Sequence, residues 1–466
     1  MSVVFLAGRF SVIHEGHARL ISQALGFGES LVIGLQTKDY DKDGIEWRIK
    51  ILKSISPKIE VIEISDSIET IISEIKPDIL VKGLEFAKEN NEEEKILKSY
   101  GGKIVFASGG TSSVDVLTRE EKILGNLPYE FMNRHGILRQ QINDLIARFK
   151  QLRVCVIGDL IIDEYIDCIP LGMSQEEPVV SVKPKNSYKF LGGAGIVAAH
   201  CASLGATTTF ISMAGDDENS SWANERLLEY GIRNEIIEEP NRVTILKQRY
   251  KVANHTMFKL SNIPDEFLTR EYQNRIVNSF NRIINQVDLV IFSDFSYGTL
   301  NKSLASTLVK SANLNGVFTA ADCQTSSQIG DITKYAGANL LSATEKEARI
   351  EMHSEASGLA NLMRRISESL EIDNLILKLG SEGALIDSKK NQIDKKDVDQ
   401  IPALSKNIKD VAGAGDSMLA VSSMSFALGA NLEISALLGS IAASIQVERI
   451  GNIPITYSEM LDRVNN

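Results

Sequence analysis

Two short stretches, at opposite ends of the chain, carry the residue types that phosphate chemistry needs. The first is Asp410-Val411-Ala412-Gly413-Ala414-Gly415-Asp416-Ser417, followed by Met418 to Leu428, apolar enough to be a buried helix. Glycines at that junction expose the N–H groups of a helix start, which lack intrahelical acceptors and sit at the positive end of the dipole. They make a phosphate cradle. Asp416, in the first turn, could take a proton from a substrate hydroxyl beside it. The pairing suggests phosphoryl transfer to an alcohol, although the turn alone also fits a plain Gly-rich turn before a core helix. The second stretch is His14-Glu15-Gly16-His17, preceded by Gly8-Arg9-Phe10. Its histidines, at i and i+3, share one face of a first helical turn and point where a triphosphate would lie.

The elements that must hold these residues are legible as periodic segments. Ser2 to Ala7 reads as a strand, Ala18 to Leu25 as a helix and Leu31 to Leu35 as the next strand, a β–loop–α–β opening of a parallel sheet. A turn at Asn126 to Tyr129 leads to a helical stripe over Ile137 to Phe149, which is expected to cover one domain. Strands are expected at Leu152 to Ile157, Thr207 to Ile211, Leu289 to Phe292, Val317 to Ala320, Asn339 to Leu341 and Leu375 to Leu379, with helical patterns between them. Four β-rich segments break the alternation: Glu164 to Ile169, Val179 to Val182, Val243 to Tyr250 and His255 to Leu260. They read as a small antiparallel lid over the sheet's carboxyl edge, excluding water from phosphoryl transfer. The fold class is α/β with two Rossmann-like parallel-sheet domains. The expected boundaries are 1–130, a helical connector over 131–150, and 151–466.

Size and composition narrow the field. At 466 residues the chain is too long for one ordinary core. A formal net charge of −11 argues against a nucleic-acid partner, which needs a basic surface. No apolar run is long enough to span a membrane and no basic signal region precedes the first strand, so a cytoplasmic location is expected. The cysteines, Cys155, Cys168, Cys201 and Cys323, are widely spaced with no Cys-x-x-Cys pair. They read as thiols in a reducing compartment, with neither disulfide nor zinc.

With His-x-Gly-His after Gly8-Arg9-Phe10, the first segment resembles the nucleotidyltransferase superfamily of cytidylyltransferases and pantetheine-phosphate adenylyltransferases, which includes half of the bifunctional heptose enzymes. The resemblance implies that His14 and His17 stabilise the pentacoordinate α-phosphate while pyrophosphate leaves. It extends to Gly8, Arg9 and Phe10 as nucleotide contacts, and to Lys38 and Lys42 as cations facing the triphosphate. Glu46-Trp47-Arg48 matches a helix-start pair. Lys82-Gly83 matches a strand-end Val-Lys-Gly, and Thr111-Ser112-Ser113, before a helix over Val114 to Leu124, matches a phosphate-binding segment.

Residues 151 to 466 resemble the ribokinase-like (PfkB) carbohydrate kinases. Gly192-Gly193-Ala194 is similar to the substrate turn and Asp410 to Ser417 to the second motif. Carried over, Asp416 is the catalytic base, the N–H groups of Ala414, Gly415 and Asp416 with the Gly413 turn form the anion hole, and Asp163, Gly192 and Gly193 bind sugar. Lys247 and Arg249 meet an anionic substrate, Lys378, Gly380 and Gly383 lie near ATP, and Glu347 organises Mg²⁺ through water. Departures are Ile196 in place of an asparagine, Thr344 in Thr344-Glu345-Lys346-Glu347, and Asp322-Cys323-Gln324 in place of Asp-Pro-Lys. The combination resembles the bifunctional heptose kinase/nucleotidyltransferase family with its halves reversed. That implies a cytoplasmic homodimer using Mg²⁺ and ATP in one half and ATP or CTP in the other, acting on a sugar or sugar phosphate. The same reactions on a short-chain polyol or sugar-acid phosphate, or a kinase half reduced to a binding module, remain open on the residues alone.

Overall fold

The computed structural model describes every residue except 1, 11–12, 38–41, 66, 84–85, 87–91, 108–122, 125–126, 254, 265–267, 326–329, 355–356, 390–397 and 406, and the side chains of 42, 43, 123 and 124. Two compact units are formed. One comprises Met1–Glu120, Met352–Ile366 and Lys390–Gln400; the other comprises Glu121–Glu351, Ser367–Lys389 and Ile401–Asn466.

In the first unit five parallel strands, β1 (Val3–Gly8), β2 (Ser30–Gln36), β3 (Ile59–Ile64), β4 (Ile79–Gly83) and β5 (Lys103–Ala107), lie in the order β3-β2-β1-β4-β5. Both faces of this sheet are covered, which is why β1 and β2 read as nearly continuous apolar runs. Alternate residues serve two cores: Leu6, Ile33 and Val81 belong to one, Phe5, Val32 and Leu80 to the other. The strand order reverses beside β1, so the carboxyl ends of β1 and β4 flank a topological switch point, where such sheets bind ligands. The helix Glu15–Leu25 begins there, three residues before the expected start. His14 is its N-cap and His17 lies in its first turn.

Short antiparallel strands β6 (Ile123–Leu124) and β7 (Leu127–Pro128) follow, so the expected helix does not run to Leu124; its residues 114–122 lie outside the described set. The connecting helix is Arg139–Arg148, later than the stripe suggested, because Gly136 takes a left-handed φ of +61° and Leu138, 63% exposed, is the N-cap. Ile142, Leu145, Ile146 and Phe149 belong to the main core of the second unit.

That unit is built on β8 (Arg153–Gly158), β11 (Thr207–Gly215), β12 (Arg233–Glu239), β15 (Leu289–Asp294), β16 (Phe318–Cys323), β17 (Leu340–Thr344), β18 (Asn374–Lys378) and β19 (Ala384–Ser388), in the order β12-β11-β8-β15-β16-β17-β18-β19. All pair in parallel except β19, which is antiparallel to β18. The lid is a separate sheet, β10-β9-β13-β14, of β9 (Leu160–Met173), β10 (Val180–Gly193), β13 (Ile245–Val252) and β14 (His255–Asn262). It is not wholly antiparallel as expected: β13 runs parallel to β9. β9 and β10, 14 residues each, are far longer than their β-rich segments, with register shifts at Ser181/Val182 and Pro184/Asn186 absorbing the interruptions. The four cysteines are buried and unpaired, and among the described residues no helix is long and apolar enough to cross a membrane.

Candidate active sites

A cleft of about 700 Å³ lies between the lid strands β9 and β13 and the carboxyl ends of β16, β17 and β18. One wall is the glycine turn. Gly413, at φ +77°, N-caps the helix Ala414–Ala427, and a Cβ there would stand 2.5 Å from Asn452 Oδ1, so conformation and space both require glycine. Asp416 follows in the first turn, 7% exposed, its Oδ1 accepting from Gln324 Nε2 at 3.1 Å. Burial, reinforced by nearby Asp322 and opposed by Lys378, pushes its carboxyl up to about 7. Lys378, at the end of β18, pairs with Asp322, whose carboxyl burial pushes up to about 6 against the pull of that lysine. The ammonium is held above its ordinary value: burial opposes the charge, but Asp322 and Glu347 outweigh it. Its Nζ is 3.5 Å from where a Cβ on Gly415 would lie, close along the turn.

The opposite wall comes from the lid. Asp163 on β9 accepts from Asn452 Nδ2 at 2.9 Å and Arg249 Nη2 at 3.4 Å, and burial raises its pKa despite Arg249 and Lys247. Parallel pairing puts Lys247 opposite Asp163 and Arg249 opposite Tyr165. Arg249 Nη1 also donates to the Tyr165 hydroxyl, which donates to Asp410 Oδ2 at 2.7 Å. Lys247 Nζ stands 5.1 Å over the Phe295 ring and 4.8 Å over Tyr297, contacts that hold an ammonium while leaving its hydrogens for an anion. The loop carrying both rings is anchored by buried Asp159, whose carboxylate accepts from the N–H groups of Phe295, Tyr297 and Thr299. Gly192 and Gly193 end β10, where it delivers the chain into the helix Ala194–Ser203.

At the far end, Gly380 and Gly383 line the cleft with Leu404, Ile408, Val447 and Met418, an apolar stretch suited to a flat ring system. Glu347 lies in the helix after β17; its carboxylate accepts from Thr344 N–H at 2.7 Å and Thr325 N–H at 2.9 Å, while Thr344 Oγ1 accepts from Glu347 N–H. Thr344 thus caps this helix. Ile196 is fully buried in the core.

The first unit holds the second candidate site. Phe10 takes a left-handed φ of +46°, packs under His17 with ring centroids 5.0 Å apart, and lies against Gly8, where a Cβ would meet its ring at 3.0 Å. Arg48, 2% exposed, donates to the carbonyls of Arg9 and Gly44 at 2.7 and 3.0 Å, tying this loop to the helix Lys42–Ile55. His14 and His17 lie 4.0 Å apart ring to ring. Burial, with the like charge of His17, holds His14 well below the ordinary histidine value, and its Nδ1 is buried without a hydrogen-bond partner. Lys82, at the end of β4 before Gly83, pairs with Glu93 at 2.9 Å. The Lys42 side chain, Lys38 and Thr111-Ser112-Ser113 lie outside the described residues.

Sequence reasoning noted Gln324 only as a departure from Asp-Pro-Lys, and missed Asn452 on the cleft wall and Tyr165 behind Arg249. No motif marks Tyr165 or Asn452: the first arrives through the lid pairing and the second from the loop after the helix Leu432–Val447.

Residues 151–457 match the family model of the pfkB family carbohydrate kinases. The chain belongs to that family. In this pfkB-family chain, residues 5–125 match a second model, described as cytidylyltransferase-like. Curated relatives include the bifunctional protein HldE of Nitratiruptor sp., 30% identical over 311 residues that make up 66% of this chain and 64% of the relative. That of Campylobacter fetus is 30% identical over 319 residues, 66% of each chain. The chain therefore spans slightly less than two-thirds of the length of these relatives. Solved structures of similar fold include phosphofructokinase-2 from Escherichia coli in complex with substrates and products, with a TM-score of 0.57, 16% identity, and coverage of 67% of this chain and 99% of that one. Another is Arabidopsis thaliana ribokinase complexed with ribose and ATP, with a TM-score of 0.53, 18% identity, and coverage of 68% and 99%.

Proposed function

We propose that the chain is a bifunctional cytoplasmic enzyme of nucleotide-sugar biosynthesis. The second unit phosphorylates a heptose-like sugar or sugar phosphate with Mg·ATP. The first transfers a nucleotidyl group from ATP or CTP to the sugar 1-phosphate and releases pyrophosphate. The observation that carries the kinase half is Asp416, a carboxyl raised to about 7 in the first turn of a glycine-capped helix, across the cleft from Lys247 and Arg249. In this reading Asp416 takes the proton of the acceptor hydroxyl as its oxygen bonds to the γ-phosphorus and the bond to the β-phosphate oxygen breaks, leaving ADP. The N–H groups of Ala414, Gly415 and Asp416, with Lys378, meet the charge on the transferring group. Lys247 and Arg249 bind an anionic group of the acceptor, and Asp163 with the Gly192-Gly193 backbone binds its hydroxyls.

Among the described residues no three His, Cys, Asp or Glu side chains cluster as a metal cage. Mg²⁺ needs none, since it keeps several waters and binds through one or two carboxylates and the substrate phosphates. Glu347, with one backbone N–H on each oxygen and lone pairs to spare, fits that demand, with Asp322 nearby. With ATP, the ion would neutralise charge on the β- and γ-phosphates. In the first unit, His14, His17 and the Gly8-Arg9-Phe10 loop surround the α-phosphate, with Lys42, Lys82-Gly83 and Thr111 to Ser113 on the rest of the nucleotide. The boundaries 1–130, 131–150 and 151–466 belong to the same reading.

A homodimer through the lid completes the proposal: β14 is an edge strand exposed throughout, and Met257, Phe258 and Leu260 on it remain open to solvent. Sedimentation of the purified chain as a monomer at micromolar concentration would remove this part. The chemistry is tested by measuring ADP formation with Mg·ATP over neutral sugars, polyols and sugar phosphates, and pyrophosphate release with each of four nucleoside triphosphates over sugar 1-phosphates. Phosphorylated sugars should be preferred as kinase acceptors, and pyrophosphate should appear with ATP or CTP. A polyol or sugar-acid phosphate as best acceptor would change the substrate class, whereas no ADP with any acceptor would reduce the kinase half to a binding module.

A further inference from the structure

Gln324 is the first residue beyond β16, on the wall of the kinase cleft. Its backbone is pinned on both sides. Its own N–H donates to the Asp294 carbonyl at the end of β15 at 2.7 Å, and the next N–H, of Thr325, donates to Glu347 Oε1 at 2.9 Å. From this anchor the side chain reaches Asp416, where Nε2 donates to Oδ1 at 3.1 Å. The other carboxylate oxygen, Oδ2, has no hydrogen-bond partner among the described residues and is not sealed from solvent. A carboxylate with one oxygen tied and the other open has a defined rotation, and it presents a single oxygen to an incoming proton. The donor is also neutral. Where the family resemblance leads to a lysine, an ammonium would draw the Asp416 pKa down, whereas an amide orients the carboxylate and leaves most of its basicity.

We propose that Gln324 is the positioning residue of the kinase base: its amide holds Asp416 Oδ1, so that Oδ2 is the oxygen that takes the proton of the acceptor hydroxyl. This rests on the kinase reading of the same cleft. As the hydroxyl oxygen bonds to the γ-phosphorus, its proton passes to Oδ2 and the β-phosphate oxygen leaves with the bonding pair. The amide bonds more strongly to the ionised carboxylate than to the protonated one, so it favours the state that begins the reaction. The charged groups around Asp416 are Asp322 from β16, Lys378 from β18, and Asp163 and Lys247 from the lid strands β9 and β13. A substitution at Gln324 leaves all four in place.

The test measures ADP formation from Mg·ATP and the best sugar phosphate acceptor across the pH range, in the full-length wild type, Gln324→Leu and Gln324→Lys. Leucine keeps the volume without the donor, and Gln324→Asn, too short to reach, replaces it if leucine does not fold. In Gln324→Leu the rising limb of kcat/KM should move up by roughly one pH unit, and kcat on the plateau should fall roughly 10-fold with KM little changed. In Gln324→Lys the limb should move below that of wild type. Ionisation of the substrate phosphates is common to all three proteins, so the difference between them belongs to the enzyme. A limb that stays in place in a folded, active variant overturns the assignment. So does a loss confined to KM, which would make Gln324 a direct ligand contact. The Asp416 carboxyl carbon resonance, identified by its absence in Asp416→Asn, should titrate higher in Gln324→Leu without any turnover. If that shift is seen but wild type phosphorylates no acceptor, the kinase reading falls and takes this role with it; if phosphorylation is seen but the resonance does not move, this assignment alone falls.

Discussion

Asp416→Asn should lower the rate of sugar phosphorylation by roughly 10²- to 10⁴-fold, the range for removing a general base, while pyrophosphate release by the other unit continues. Asparagine keeps the shape of the side chain and leaves the glycine turn unchanged, so the loss measures proton acceptance. The raised carboxyl adds a pH signature. Only the unprotonated base can accept the hydroxyl proton, so kcat/KM should climb with pH to a plateau above about 7. Stability should move the opposite way. An unfolded aspartate titrates near ~3.9 and the folded one at about 7, so between these values the folded state holds the extra proton. The contribution of Asp416 to stability therefore falls as pH rises through that window. Asp416→Asn removes the burden of a buried charge beside Asp322. It should melt above wild type at pH 8, with the gap closing as pH falls toward 4. Equal melting curves at pH 8, or an undiminished phosphorylation rate, would mean that Asp416 is not the buried base.

The reach of sequence reasoning follows the range of the interactions. The Gly413 to Asp416 turn was legible because it is local: a left-handed glycine, a helix start and a first-turn acid occupy consecutive positions. The His14/His17 pair was legible for the same reason, although the helix took in His17 rather than starting after it. The large sheet followed from alternating strand and helix patterns, but β12, with its charged sequence Arg-Asn-Glu-Ile-Ile-Glu-Glu, gave no apolar run because it is the edge. In the lid, Pro170 and Pro184 broke the pattern where β9 and β10 in fact continue, their register shifting beside both prolines. Long-range polar contacts were the least visible. Asn452 and Asp163 are 289 positions apart and Gln324 and Asp416 are 92 apart, so only the folded unit brings them together. Family resemblance attached significance to the missing amide at position 196, yet Ile196 points into the core, and the amides facing the cleft are those of Gln324 and Asn452.

His17→Ala should reduce pyrophosphate release by roughly 10²-fold or more, the scale for removing one donor to a developing phosphate charge, and leave sugar phosphorylation intact. The environment of His14 makes the effect of His17 asymmetric. Burial, and after it the charge of His17, keeps His14 neutral at ordinary pH. Removing His17 lifts the second of these, so the affinity of His14 for a proton should rise in the variant. The stability linkage has a definite sign: below about 6.5 an unfolded histidine takes up a proton that folded His14 refuses, so stability falls as pH drops through that value. That acid-side loss should be smaller in His17→Ala than in wild type, which melting curves at pH 5 and pH 7.5 would read. A triphosphate is polyanionic, so ATP or CTP should raise the pKa of His14, followed through its imidazole proton resonances, and protect the first unit most strongly at the acid end. Equal loss of both activities in His17→Ala, or resonances unmoved by either nucleotide, would remove the His14/His17 face as the site of nucleotidyl transfer.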